Sequence, residues 1–412
     1  MAFECRVEHV EITLLSVPDY RSPQTMRTET AAVDFNLTPE QEMLRKAMQE
    51  FAKRELLPRA QQLDETGEFP RDIIKKIADI GLIGIVIPPE YDGSNMGHLA
   101  RMISIEELSK AYASFGLFLQ ASPLGLWVLL HFGNDEQKKK YIPPVVRAEK
   151  IMCMAVTEPT GGSDPASIQT KAKLEGDSYI INGSKCFISN GGIADICVFM
   201  AKTGEGSKGF STFVVEKGTP GYEPGMREQH AGMRSVIVSE LVFRNCKIPK
   251  ENLVGNEGDG LRASLKTVSE IGRTGNTGVA LGIARAAYET ALQYAKDKQL
   301  YGKPIAELQA IQFMLADMHM QTEAARLLAY YAAWQLDQGK TGRDIAKEIA
   351  SAKAFSSEVA RRNALKAIQI HGAYGTLPEF NLMRYLRDSL EAMAAGGTNE
   401  IMRTVIAREI IK

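Results

Sequence analysis

Residues 391–403 read EAMAAGGTNEIMR. A helical block runs through a double glycine into a second amphipathic stretch. A Gly-Gly-Thr turn at a helix start presents backbone N–H groups to a phosphate or carbonyl oxygen. Ala395, Gly396 and Gly397 offer no side chain that accepts a proton, so this turn is suited to binding an oxygen and not to moving a proton. A second Gly-rich stretch, AVTEPTGGSD at 155–164, pairs hydroxyls (Thr157, Ser163) with Gly161–Gly162, which allow close backbone approach. Other chemistries are poorly served. The six histidines are scattered with no HExxH, and the five cysteines show no CxxC pair, so no metal site is expected.

The elements that position these turns follow from composition and periodicity. A chain of 412 residues, 44% hydrophobic and 24% charged, is of globular type and long enough for two or three domains. A net charge of -1 implies no nucleic-acid surface. No uninterrupted apolar run approaches ~18 residues, so no membrane span is expected. The cysteines read as small hydrophobes in a reducing compartment. Residues 1–34 alternate apolar and polar from Cys5 to Leu14, as one added strand or a loose arm. They carry Glu4, Glu8, Glu11 and Asp19 and lack an apolar signal core, so a cytoplasmic protein is expected.

Residues 35–150 read as an N-terminal helical domain. Thr38 is a candidate N-cap, Pro39 the first helical residue and Gln41 the capping-box partner, followed by a stripe of Leu44, Ala47, Met48, Phe51 and Ala52. Residues 151–256 change to short β-branched and aromatic runs (SYIINGSKCFISN, ICVFMAKT, GFSTFVVEK, SELVFRNCKIP) between Gly, Asn and Pro turns, which suggests a small β-barrel or sandwich. Residues 257–412 return to long helices near 258–298, 305–338, 342–372 and 399–411. Leu308, Ile311, Gln312, Leu315, Met318 and His319 form a stripe, and alanines four apart (Ala325–Ala329–Ala333, Ala346–Ala350–Ala354) permit close packing in a four-helix bundle. The expected class is α+β, mostly α: helices, a middle β-barrel, then the bundle.

Six stretches in order, AVTEPTGGSD, INGSKCFISNG (181–191), IPKENLVGNEGDG (248–260), YGKPIAELQAIQFMLADM (301–318), QIHGAYG (369–375) and GGTNEIMR (396–403), resemble the motifs of the acyl-CoA dehydrogenases. The resemblance spans about residues 36–412. It implies FAD as cofactor, an acyl-CoA thioester as substrate, a homotetramer, and an electron-transferring flavoprotein as acceptor.

Residue by residue, the resemblance implies the following flavin contacts. Met154, Val156, Thr157, Gly162 and Ser163 match the flavin loop, with Ser163 also facing substrate. Phe187 and Ser189 stand where the family often has Trp and Thr beside the isoalloxazine. Lys298 stands where an Arg usually meets the pyrophosphate; a point charge replaces a bidentate fork. Tyr301 follows it. Gln309 and the Gln369–Gly372–Gly375 turn match adenine-end contacts made across a dimer interface, with Ala373 in place of a common Gly. Thr398 and Glu400 match the last flavin contacts. Arg273 matches an Arg of the CoA groove, and Glu270 and Gly397 are further substrate candidates.

The family's base is a Glu immediately before the Gly-Thr of the last motif, or, in a second group, a Glu directly before the residue matched by Arg273. These positions hold Gly396 and Gly272. The resemblance implies that the Gly396 N–H still polarises the thioester carbonyl while the proton acceptor is gone. Three accounts stand. A base has moved, Asp92 in EYDGSNMG and Glu270 being the candidates, with Glu391 expected on another helix face. Alternatively the reaction eliminates a leaving group without net oxidation, as in desulfinase-like members. Those need a cation in the pocket helix, whereas Leu117 stands there and no Arg occurs from 102 to 146. Or the protein binds flavin or CoA without catalysis. The apolar stretch around Phe115, Leu117, Phe118 and Leu119, with Gln120 and Ser122 as its polar members, suggests an uncharged acyl group, and the space at Gly396 suits a cyclic or branched one.

Overall fold

The computed structural model describes residues 36–412; the arm expected at 1–34 lies outside them. The first helix begins at Pro39, where a fixed φ suits the first helical turn. The N-terminal helices are α1 (Pro39–Phe51), α2 (Ala60–Thr66), α3 (Arg71–Asp79), α4 (His98–Ala111), α5 (Ala113–Phe132) and α6 (Asp135–Val146). Of the α1 stripe, Met48, Phe51 and Ala52 are buried and Ala47 is exposed. Among the described helices α5 alone has the length and apolarity of a membrane span. It is apolar all round because it is enclosed: 89% of its apolar window is buried inside the protein.

Eight strands follow: β1 (Met152–Ala155), β2 (Lys171–Glu175), β3 (Ser178–Ser189), β4 (Ile196–Lys202), β5 (Phe210–Glu216), β6 (Tyr222–Arg227), β7 (Val238–Pro249) and β8 (Leu253–Val254). The four apolar runs are β3, β4, β5 and β7, as their sequences indicate. The expected barrel is corrected: the strands form an open sheet in the order β6-β7-β3-β2-β4-β5-β8, with β1 parallel to β4. The end strands do not pair with each other. Tyr179, Phe199, Phe213 and Phe243 fill the core on one face, and α5 packs against β1, so burial supplies what closure would otherwise supply.

The C-terminal helices are α7 (Gly260–Thr267), α8 (Thr274–Asp297), α9 (Gln309–Asp337), α10 (Ala346–His371), α11 (Leu382–Ala394) and α12 (Asn399–Ile411). A two-strand ribbon, β9 (Gln299–Leu300) and β10 (Lys303–Pro304), joins α8 to α9. The bundle consists of α8–α11, with α12 along α10 and α4 laid against α8 and α9. Ala325, Ala329 and Ala333 are each 0% exposed, as a close helix contact requires. Leu315 and Met318 of the α9 stripe are buried, while Gln312 and His319 face out. Pro39–Lys412 forms one compact unit.

Candidate active site

Between α7 and α8 the helix widens into a π turn over Val268–Arg273. Such insertions re-aim side chains and free backbone groups. This one carries Glu270, Gly272 and Arg273. Arg273 Nε donates to the Gly396 carbonyl at 3.2 Å. Gly272 and Gly396, the two positions without a carboxylate, therefore flank one arginine. Burial lowers the Arg273 pKa from its usual value.

The Gly-Gly-Thr turn closes α11 and opens α12. Gly396 and Gly397 have φ of +69° and +99°, a consecutive left-handed pair that residues with a Cβ adopt only with strain. The Thr398 hydroxyl accepts from the Ile401 N–H at 3.3 Å as the N-cap of α12. Side chains tie the turn through its carbonyls. Asn276 Nδ2 donates to Ala392 O at 2.6 Å, and Lys353 Nζ donates to Met393 O at 2.7 Å, Gly397 O at 2.8 Å and Asn399 Oδ1 at 3.0 Å. Lys353 is 0% exposed; burial, then the charge of Arg273, brings its pKa down to about 8. With the carbonyls taken, the Gly396 N–H keeps no protein acceptor among the described residues.

The facing wall comes from the sheet. Phe187 sits at an irregularity in the β3–β7 register with φ +57° and is 67% exposed. A left-handed, solvent-facing aromatic is uncommon and marks a position held for a purpose other than core packing. Ser189 is half-buried beside it. Asn190, 0% exposed, leaves both side-chain amide atoms without a partner. The loop from Met154 to Ser163 lies alongside: the Cys186 N–H donates to Thr157 O at 3.0 Å. Met154, Val156 and Thr157 are half-buried, and Gly162 and Ser163 are exposed. Lys185 fastens this loop, donating to Val156 O at 3.1 Å and Glu158 Oε1 at 2.7 Å, while Glu158 also accepts from the Gln169 and Thr170 N–H groups. Both side chains are nearly fully buried. An exposed aromatic wall, an orphaned buried amide and a hydroxyl-bearing loop with free backbone fit a planar, polar-edged cofactor such as a flavin.

The segment 228–237 joins this wall to the turn. The Asn190 N–H donates to Ile237 O at 2.7 Å, and on α11 the Gly232 and Met233 N–H groups meet Glu391 and Asp388, each at 2.6 Å. His230 Nδ1 lies 3.0 Å from Glu391. Burial opposes charge on His230, but the carboxylate outweighs it and raises the pKa. Glu391 is thereby occupied, in keeping with its expected placement off the turn.

The structure does not bring the two proposed bases into the site as free acids. Asp92 stands in an exposed turn with φ +64° and is ion-paired with Arg147 on the surface. Glu270 is buried, but its oxygens receive Trp127 Nε1, Lys266 Nζ and the Gly342 N–H, each at 2.8 Å. It anchors the turn between α9 and α10. Sequence spacing could not reveal these partners, which are 72 to 143 residues away except Lys266, one helical turn before it.

The remaining cofactor candidates gather elsewhere. Lys298 Nζ lies 5.1 Å from the Tyr374 ring, and Tyr294 stacks on His371 at 3.9 Å. Tyr301 is 91% exposed at the ribbon tip, and Gln309 and Gln369 are exposed. Gly372 caps α10 in the left-handed region, and Gly375 is buried. This cluster lies at the C-terminal end of α10, whereas Lys353 and the Gly-Gly-Thr turn lie near its start. At 1.5 Å per residue, Lys353 and Gln369 are roughly 24 Å apart. Glu400 stays at the turn, exposed, with its carboxyl held below the usual range by its own N–H at the start of α12.

Helical segments before and after an open sheet, with an exposed aromatic and an orphaned amide on the sheet linked through 228–237 to a glycine turn, fit a flavin-dependent oxidoreductase scaffold. The acyl-CoA dehydrogenase N-terminal, middle and C-terminal domain models match residues 38–149, 153–246 and 258–411. An acyl-CoA dehydrogenase of Bacillus subtilis (strain 168) is 41% identical over 92% of this chain and 99% of its own. Cyclohex-1-ene-1-carbonyl-CoA dehydrogenase of Syntrophus aciditrophicus (strain SB) is 39% identical, covering 96% of each chain. The structure of butyryl-CoA dehydrogenase from Megasphaera elsdenii superposes with a TM-score of 0.89 at 36% identity, over 92% of this chain and 100% of that one. The chain belongs to the acyl-CoA dehydrogenase family. It is a flavin-dependent CH–CH oxidoreductase by family, with FAD as cofactor.

Proposed function

We propose that this protein binds an acyl-CoA thioester between the Gly-Gly-Thr turn and the Phe187 wall and acts on its α and β carbons without the family's usual carboxylate. The observation that carries this is the Gly396 N–H, without a protein acceptor and beside an arginine, while Glu270, Glu391 and Asp92 are each held by other partners. That N–H receives the thioester carbonyl and stabilises charge developing on its oxygen. Lys353, Asn276 and Arg273 hold the turn so that the N–H keeps its aim. FAD, when bound, supplies the hydride acceptor. Thr157, Ser163, Phe187, Ser189 and Thr398 orient it. The body of the acyl group meets the apolar first half of α5, where Phe115, Leu117, Phe118 and Leu119 are buried.

A second reading has specific support. With Glu270, Glu391 and Asp92 all committed to partners, loss of the sulfinate from a β-sulfinylated acyl-CoA is the alternative to plain desaturation: the C–S electron pair stays on Cβ, a water proton joins Cβ, and the water oxygen leaves on sulfur as sulfite, so no α-proton acceptor and no net oxidation of the acyl chain are required. The test is anaerobic mixing of purified protein with an acyl-CoA panel that includes a sulfinylated propionyl-CoA. Loss of flavin absorbance identifies hydride transfer; sulfite release with the absorbance intact identifies elimination. A colourless protein that neither binds FAD nor responds to any thioester overturns both readings.

We also propose a homotetramer. Phe313, Met320, Leu327, Tyr331 and Trp334 form one stripe along α9 and are 42 to 62% exposed, more apolar surface than a lone bundle leaves open. Lys298, Tyr301, Gln309 and Gln369 sit at the far end of α10, where they serve the FAD of a neighbouring copy. An electron-transferring flavoprotein is the proposed acceptor. Buried free thiols at Cys153, Cys186, Cys197 and Cys246 suit the proposed cytoplasmic location.

A further inference from the structure

Arg101 on α4 is 1% exposed, yet its guanidinium meets only neutral groups. Nη2 donates to Ile271 O at 3.0 Å and to Gln120 O at 3.5 Å, and Nη1 to Thr274 Oγ1 at 3.3 Å. Nε has no partner, and among the described residues no carboxylate pairs with it. Burial alone lowers its pKa to about 9, which leaves it charged at neutral pH. An interior cation without a counter-charge is costly and is seldom kept without one. Covering the Ile271 carbonyl in the π turn accounts for one N–H, and a neutral amide side chain does that equally well. The packing is also shaped around this side chain: a Cβ on Gly275 would lie 2.5 Å from Nη2 and 2.3 Å from Gln120 Cγ.

The guanidinium lies one layer from the reacting position. Gln120 Nε2 donates to Gly272 O at 3.2 Å and stands 3.8 Å from where a Gly272 Cβ would project. Arg101, Arg273 and Lys353 thus surround the site as three cations, none in an ion pair with a described carboxylate. Of the acids near them, Glu270 is paired with Lys266 and Glu391 with His230, while Glu400, exposed at the turn, acts on Lys353 without an ion pair. A pocket with this balance favours a ligand that brings its own negative charge.

We propose that the acyl group this site accepts carries a carboxylate at its far end, received by Arg101 once the Gln120 amide swings aside. This rests on the reading of the site as a CoA-thioester pocket, and it revises the uncharged acyl group suggested by the apolar 115–130 stretch, because the cation comes from the neighbouring helix.

The test compares two thioesters of equal chain length, glutaryl-CoA and pentanoyl-CoA, by equilibrium binding and thermal shift on the purified protein as isolated. The wild type should bind glutaryl-CoA at least about tenfold more tightly, as a charge-assisted contact to a buried guanidinium implies. Arg101→Gln should lose most of that preference, weakening glutaryl-CoA far more than pentanoyl-CoA, and Arg101→Lys should keep part of it. Equal or tighter binding of pentanoyl-CoA by the wild type overturns the proposal, as does an Arg101→Gln variant that weakens both ligands alike. If the variant fails to fold, the wild-type preference decides. If neither thioester nor free CoA binds, the pocket reading fails together with the proposal; if pentanoyl-CoA binds without preference for glutaryl-CoA, only the proposal fails.

Discussion

Arg273 Nε donates to the carbonyl of Gly396 at 3.2 Å, joining the π turn of one helix to the glycine turn between two others. The residue before Arg273 is Gly272, so the two positions that the family resemblance assigns to the base, Gly272 and Gly396, both adjoin Arg273. Carboxylates can be restored at either, and the two should behave differently. A Cβ at Gly396 would rest 3.6 Å from Arg273 Cα and Cγ, so there is room, but φ is +69°. Gly396→Glu should therefore cost about 1–2 kcal/mol in stability. A Cβ at Gly272 would meet Leu124, Gln120 and Val268 at 3.6 to 3.8 Å with helical backbone. Gly272→Glu should be the more stable variant by thermal melting. Either glutamate should raise flavin reduction by a straight-chain acyl-CoA by ~10²–10⁴-fold where it reaches the α-proton. No gain from either would show that the pocket shape has changed with the base.

Lys353 holds three acceptors while charged. Its pKa in the folded protein is about 8, below the 10.5 of a free lysine, chiefly through burial. Above pH 8 it loses one donor, the Gly-Gly-Thr turn loosens, and thioester binding should weaken. Stability follows the opposite sign. Between about pH 8 and 10.5 the unfolded chain holds the proton more tightly, so this group's burial penalty is relieved as pH rises through that window. Lys353→Met should remove the alkaline fall in ligand affinity and weaken binding at pH 7. Titration calorimetry across pH 7 to 10 tests this; an unchanged pH profile would exclude Lys353 as the group responsible.

The Lys185–Glu158 pair should act on the cofactor without touching it. Both side chains are almost inaccessible and fasten the loop that carries Thr157 and Ser163. Removing one charge leaves the other buried alone, so Glu158→Gln should cost ~3–5 kcal/mol in urea unfolding. FAD content of the purified variant should fall with it. Full FAD occupancy in a destabilised variant would separate the pair from the cofactor site.

The α9 stripe predicts an assembly. Leu327→Glu combined with Tyr331→Lys places charge at two residues that are 55% and 48% exposed in the single chain. The monomer should tolerate both within about 0.5 kcal/mol each, as surface substitutions do. Sedimentation should show a tetramer for the wild type and smaller species for the variant. FAD should dissociate more readily from those species, because Lys298, Gln309 and Gln369 no longer reach a neighbour. A wild type that sediments as a monomer would remove this account.

Asp388 supplies a stability test. Burial raises its pKa to about 7, against 3.8 for a free carboxyl. The folded state therefore holds the proton more tightly, and this group's contribution is lost as pH rises from about 4 to 7, with a slope of at most ~1.4 kcal/mol per pH unit. Asp388→Asn keeps an acceptor for the Met233 N–H and should flatten that part of the stability profile.

Local sequence determined much of this protein. Helical stripes, β-branched runs and glycine turns report short-range preferences, so β3, β4, β5, β7 and most of the bundle were legible. That Gly272 and Gly396 carry no carboxylate was also legible, because it is a matter of residue identity. Tertiary structure decided the rest. Whether strands close into a barrel depends on which edges meet, and here they stay apart, with α5 packed against the sheet. Whether an acid is free depends on its neighbours in space: Glu270 found Trp127, and Asp92 found Arg147. Arg101 was invisible as a pocket residue for the same reason. Its charge reaches the π turn across a helix packing contact about 170 residues away along the chain, and only the fold establishes that no carboxylate of the described residues pairs with it.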